Sequence, residues 1–197
     1  MRKRHLTLIR TGQRIDCCQS ELEALFQIAR TLCPDGFPAE ETRELDPLRA
    51  HLSLAFVGEL RRQLSKRADI PLEWLSLDRF TVHGCGPISL HDDRHNYPHV
   101  YFVIVVAHSG RLGIVDAKSR AVRHGVGEIL LLDPHKKHAL VPAGLTAREH
   151  PYERTHSPVD CDDDRFLFLG FDVPRRLLRH CFRASTDRGG SDGRDVE

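Results

Sequence analysis

The order of elements in this sequence predicts a mainly β fold of the α+β class, a jelly roll or β-sandwich with helices packed on one side. Three observations predict it. Residues 1–77 carry apolar side chains at helical spacing. From Asp78 onward the spacing changes to the two-residue alternation of strands. Gly and Pro signals then cut that second part into seven or eight short strands.

Taken in order, Ser20 with Glu23 three residues later is a capping-box signal, and Leu22, Leu25, Phe26, Ala29 and Leu32 recur at helical spacing. Cys33-Pro34-Asp35-Gly36 closes that helix and opens a loop to about Asp46. Asp46-Pro47 starts a second helix with proline at its first position. Its stripe is Leu48, Leu52, Ala55, Phe56, Leu60 and Leu64, ending before Pro71.

Phe80 and Val82 then alternate with Arg79, Thr81 and His83. The run Tyr101 to Val106 is β-branched or aromatic on both faces, as in a central strand. Ser109-Gly110 predicts a tight turn with Arg111 to Asp116 as the hairpin partner. Gly125 and Gly127 precede a strand over Glu128 to Asp133, and Asp133-Pro134 turns the chain into His138 to Val141. Arg165 to Phe171 is the last clear strand, and Pro174 opens a short helix through about Cys181. The expected organisation is a helical support region over 1–77, a β core over 78–183 and a disordered tail over 184–197, all in one domain.

Composition excludes several classes. A net charge of +1 gives no overall case for nucleic-acid or membrane partners, and the basic start Met1 to Arg4 reads as a solvated end. The six cysteines include no C-x-x-C pair and no secretory h-region precedes them, so reduced thiols in the cytoplasm are expected. The longest apolar run, Val100 to Ala107, is too short to cross a bilayer as a helix. Oligomeric state is not legible.

The chemistry concentrates between Pro87 and Arg148. In an extended backbone His91 and Asp93 share a face, with Asp92 turned away; a turn there would favour Asp92 instead. A rival reading puts His91, His95 and His99 on one face of a helix, which Pro98 disfavours. A third ligand has to come from another strand, and His138 begins one, with His135 as the weaker candidate on the preceding turn. Two histidines and one carboxylate are the donor set of a mononuclear iron site with open positions. Arg148, ten residues past His138, offers a fork of donors for a carboxylate, and Arg154 is the fallback. Thr146 would share a strand face with Arg148 and reinforce it; Tyr97 and Tyr101 are looser options.

The segment Arg79 to Asp93, the apolar strand at Val100, Gly127 to Leu132 and His138-Ala139-Leu140-Val141-Pro142 together resemble the core of Fe(II)/2-oxoglutarate-dependent oxygenases of the prolyl-hydroxylase-like kind. The resemblance spans roughly residues 79 to 172. It implies a double-stranded β-helix holding Fe(II) at His91, Asp93 and His138, with Arg148, Thr146 and Tyr101 as the candidate 2-oxoglutarate contacts. The implied reaction hydroxylates a C–H bond of a protein or peptide side chain or an amino acid, with O2 consumed and 2-oxoglutarate converted to succinate. Many relatives have Ser or Thr two residues past the arginine, where this chain has His150.

Two other readings compete. Gly127-Glu128, Pro134 and His138 also resemble the second cupin motif, although the first cupin motif is missing around residue 91. That reading implies a metalloprotein that does not use 2-oxoglutarate. The other is a barrel that binds a ligand without catalysis.

Overall fold

The computed structural model describes residues 8–15, 18–37, 41–149 and 164–178. The basic start, Cys17, His150, Arg154, Cys161, Cys181 and the expected tail lie outside the described residues.

Two antiparallel sheets face each other. The strands are β1 (Leu8–Arg14), β2 (Thr42–Glu44), β3 (Phe80–Cys85), β4 (Ile88–His91), β5 (Val100–His108), β6 (Leu112–Asp116), β7 (Glu128–Leu132), β8 (His138–Pro142) and β9 (Phe166–Pro174). The large sheet runs β1-β7-β5-β9-β3-β2 and the small one β4-β8-β6. Successive strands from β3 to β9 alternate between the two sheets without a break, which is the winding of a double-stranded β-helix, or jelly roll. The Ser109-Gly110 turn forms as expected, with Leu112 N–H donating to Ser109 C=O at 2.8 Å. The strand after it does not fold back as a hairpin partner of β5. It crosses to the small sheet, where Ile114 pairs with Leu140.

Alternation along the strands separates two cores. Phe171, Val173, Val103, Val105, Ile129 and Leu131 face the helices and pack with Leu22, Leu25, Leu60 and Leu64. Phe166, Ile104, Val106, Leu130, Leu132, Ile114 and Leu140 fill the barrel interior. A one-residue shift in register would exchange these two sets, so the pattern fixes the pairing.

The helices are α1 (Gln19–Leu32), α2 (Asp46–Arg49), α3 (Leu54–Ala68) and α4 (Arg175–Leu178). α1 forms where its stripe predicts, but Ser20 spends its hydroxyl on Glu21 at 2.8 Å instead of capping the helix. The second predicted helix is split in two, because Ser53 adopts extended geometry and accepts the Phe56 N–H, starting α3 afresh. The front region also contributes strands to both edges of the large sheet. β1 pairs with β7, and β2 pairs with β3. Among the described residues no helix is long and apolar enough to cross a membrane.

The strand directions give the barrel a defined mouth. β4, β6, β7 and β9 end there, and β3, β5 and β8 begin there.

Candidate metal centre

His91 ends β4 and His138 begins β8, and the two are direct partners in the β4–β8 register. Cross-strand pairing therefore puts both imidazoles on one face at the mouth, with ring centroids 4.4 Å apart. Asp93 lies two residues past the end of β4. Its N–H donates to Pro134 C=O at 2.8 Å, and its C=O accepts from Asn96 and Tyr97, so it is anchored at the start of a turn. Oδ2 of Asp93 stands 3.6 Å from His91 Nε2 and 3.4 Å from His138 Nε2. The ligand atoms these three residues offer all lie within 4.8 Å of one another.

Asp92 is turned away and engages Arg94 through two contacts of 2.7 and 3.0 Å. The helical rival fails as well, since residues 92–99 form no helix, and His95 and His99 are exposed. His135 sits on the turn between β7 and β8, its N–H donating to Asp133 Oδ1 at 2.9 Å, and is not part of the cluster.

The ring hydrogen bonds decide what the cluster offers. His91 Nδ1 lies 2.7 Å from Ser89 C=O, and His138 Nδ1 lies 2.9 Å from Lys136 C=O. A carbonyl oxygen only accepts, so each Nδ1 carries the hydrogen and donates it. Each Nε2 of the neutral rings then presents a lone pair towards Asp93. The carboxylate also presents lone pairs, and burial alone pushes its pKa up. Protonated imidazoles would donate to it and hold it well below the ordinary carboxylate range; with neutral rings, a cation has to take that place. Three acceptors turned on one point, with both outer nitrogens tied to backbone carbonyls, fit a divalent cation.

The turn that sets His138 in place is braced from outside. The Asp133 carboxylate is buried and receives both Arg175 nitrogens, at 2.6 and 2.9 Å. The guanidinium lies 4.6 Å over the Tyr101 ring. Tyr101 thus faces the helices and braces Arg175, on the side of β5 away from the barrel interior.

Arg148 and Thr146 are not brought to the cluster either. Ala147 packs with Val115, Ala139 and Val141 on the outer face of the small sheet. The Thr146 hydroxyl accepts the Glu149 N–H, and Arg148 is exposed. The inner face holds Thr81, His83, Phe102, Phe168 and Asp172 among its residues, and the arginines in inward register, Arg10 and Arg14, belong to the edge strand β1, where they pair with Leu130 and Glu128. His83 is held neutral there, burial lowering its pKa to about 4, with Nε2 2.7 Å from Thr81 Oγ1.

A cleft of about 860 Å³ opens beside the mouth, lined in part by Val100, His135, Asp172 and Arg175. The sequence reading did not single out Asp172. The signal was present in the alternation Phe166, Phe168, Gly170, Asp172, which ends an inward-facing series on a carboxylate.

No protein-family model matches the chain, and no curated protein matches it. Among solved structures, it is similar to a cupin 2 conserved barrel domain protein from Salinispora arenicola at 16% identity and a TM-score of 0.28, covering 58% of this chain and 79% of that one. So slight a likeness carries no argument, and the jelly roll rests on its own strand order. What the chain holds is a jelly-roll barrel with a His-Asp-His cluster able to take a metal ion.

Proposed function

We propose that this chain is an Fe(II)- and 2-oxoglutarate-dependent dioxygenase, with His91, Asp93 and His138 as the iron ligands and a protein side chain or an amino acid as the hydroxylated substrate. The observation that carries the reading is the donation of both imidazole Nδ1–H groups to backbone carbonyls, which leaves two Nε2 lone pairs and one carboxylate converging at the barrel mouth. Three protein ligands leave further positions open for small molecules. When bound, iron and 2-oxoglutarate would let O2 serve as the oxidant, one oxygen atom going into succinate as CO2 is lost and the other onto the substrate carbon as a hydroxyl.

The residues of the chain do the positioning. Ser89 and Lys136 carbonyls fix the ring orientations, and the Asp93 N–H bond to Pro134 fixes the carboxylate. Phe102, Leu132 and the interior beneath them keep the inner side dry. The reading places the enzyme in the cytoplasm, without membrane or nucleic-acid partners.

A second reading, a cupin-like metalloprotein that does not use 2-oxoglutarate, is favoured by one observation. The carboxylate anchor expected at Arg148 sits exposed, outside the small sheet. Anaerobic loading with Fe(II), metal analysis and an assay of succinate formation separate the readings. Iron bound with succinate released supports the dioxygenase. Iron bound with neither 2-oxoglutarate binding nor succinate supports the cupin-like alternative, and neither metal nor turnover leaves a ligand-binding barrel. Arg148→Ala tests the anchor itself: the dioxygenase reading expects 2-oxoglutarate affinity to fall while iron affinity holds.

A further inference from the structure

Arg79, Arg175 and Arg176 line the cleft beside the mouth together with His99 and His135, against a single carboxylate, Asp172. Arg175 is spent, since both its terminal nitrogens are on Asp133. Arg79 and Arg176 are exposed, and among the described residues no hydrogen bond or ion pair engages either guanidinium. Nε2 of His135 is buried and likewise has no hydrogen-bond partner among them. Asp172 does not supply what these groups lack: Arg79 acts on its charge without bridging it. The lining thus offers more donors than acceptors, and the excess is cationic.

The cleft adjoins the metal centre through the turn between β7 and β8. Pro134 C=O accepts the Asp93 N–H, His135 is the next residue, and His138 follows on the same turn. Across the cleft, Arg175 N–H donates to His99 C=O at 2.7 Å, tying the end of β9 to the approach of β5. A ligand seated there lies against the turn that delivers one metal ligand and anchors another.

We infer that the cleft receives a side-chain carboxylate, of aspartate or glutamate, belonging to the substrate proposed above, with Arg79 and Arg176 as specificity-determining residues. The inference rests on that reading for the word substrate, but the recognition itself requires only the cleft. A guanidinium binds a carboxylate through paired, charge-assisted hydrogen bonds. An acceptor in the cleft also recovers the cost of leaving the His135 nitrogen buried and unpartnered, in the tautomer that carries its hydrogen on Nε2. Asp172 sets the charge limit. Its carboxylate opposes further negative charge, so a carboxylate fits better than a phosphate monoester, which carries about two charges at neutral pH.

The test uses blocked probes: N-acetyl-glutamate methylamide, N-acetyl-aspartate methylamide, the neutral N-acetyl-glutamine methylamide and N-acetyl-phosphoserine methylamide. Binding is measured by calorimetry on the full chain at low ionic strength, where exposed charges are least screened. Titrations run with and without Mn(II) and 2-oxoglutarate, and in parallel on the double variant Arg79→Gln/Arg176→Gln, on Arg79→Lys and on His91→Ala. Both arginines are exposed, so these variants should fold, which circular dichroism checks. At least one acidic probe should bind about tenfold tighter than the glutamine analogue. The double variant should erase that preference, and Arg79→Lys should keep part of it. Equal binding of the neutral probe, no binding of either acidic probe, tighter binding of phosphoserine, or a preference intact in the double variant overturns the inference. Displacement of the acidic probe by an equal concentration of 2-oxoglutarate overturns it as well, since the cleft would then belong to the co-substrate. Mn(II) binding, read separately by electron paramagnetic resonance, reports on the metal site. A preference that persists in a chain unable to hold metal supports the cleft and removes the dioxygenase. An absent preference with Mn(II) binding and succinate release intact removes the cleft alone.

Discussion

Nε2 of His138 stands 3.4 Å from Oδ2 of Asp93, and in the neutral ring that nitrogen carries no proton, because Nδ1 spends its hydrogen on the Lys136 carbonyl. An imidazole lone pair facing a carboxylate at this separation is unfavourable unless a positive charge lies between or beside them. His91 repeats the arrangement from the other side at 3.6 Å. The cluster therefore reads as a set of ligands, not as a buried polar network satisfied by its own members.

The brace behind His138 makes a prediction of its own. Removing Arg175 leaves the buried Asp133 carboxylate without its cation, on the turn whose geometry delivers His138. Arg175→Ala should destabilise the chain by about 2–4 kcal/mol, given that the pair is only partly shielded from solvent. Metal affinity should fall with it, although no ligand has been touched. Urea unfolding and metal titration read the two effects, and an unchanged midpoint would remove the brace.

Gly127 carries φ +79°, and a Cβ there would meet the Ile15 carbonyl oxygen at 2.5 Å. Gly127→Ala should cost about 1–3 kcal/mol from backbone strain alone, with the clash adding to it. Because the Ile15 N–H donates to Gly127 C=O, the variant should also loosen β1 from the sheet edge. Amide hydrogen exchange along β1 measures that loosening, and protection equal to the wild type would contradict it.

His83 predicts a pH dependence. Burial lowers its pKa from 6.5 to about 4, so the unfolded chain binds a proton that the folded one refuses between those values. The stabilisation is complete above about 6.5 and is lost as pH falls towards about 4, amounting to at most about 3 kcal/mol. His83→Gln should therefore lose less stability than the wild type over that window. Thermal midpoints measured from pH 7 to pH 4 check this, and parallel curves for the two proteins would count against a buried neutral ring.

Much of this was legible in the sequence, for reasons that can be named. β5 and β9 announce themselves because strands buried on both faces need apolar residues throughout. The pairing of His91 with His138 could be expected because a metal site needs ligands from separate strands, and Asp93 because Asp92 points elsewhere. β1 was not legible. Its register against β7 depends on an edge that exists only once the barrel has closed. The crossing of β6 to the small sheet was hidden for a similar reason, since a tight Ser-Gly turn serves a hairpin and a sheet-to-sheet corner equally well. Arg148 was proposed from distance along the chain, and distance along the chain does not say on which side of a sheet a turn will lie. Asp172 escaped notice because a single aspartate at the end of an apolar strand looks like a solvated terminus until the mouth is located.

The central claim is tested most directly by metal stoichiometry. The purified chain, stripped and then loaded anaerobically with Fe(II), should hold one ion per chain by elemental analysis. Asp93→Ala and His138→Ala, shown to be folded by circular dichroism, should each weaken binding by more than the ~10–100-fold that loss of an outer partner costs. Iron retained at full occupancy in both variants, or no iron in the wild type, would contradict the account.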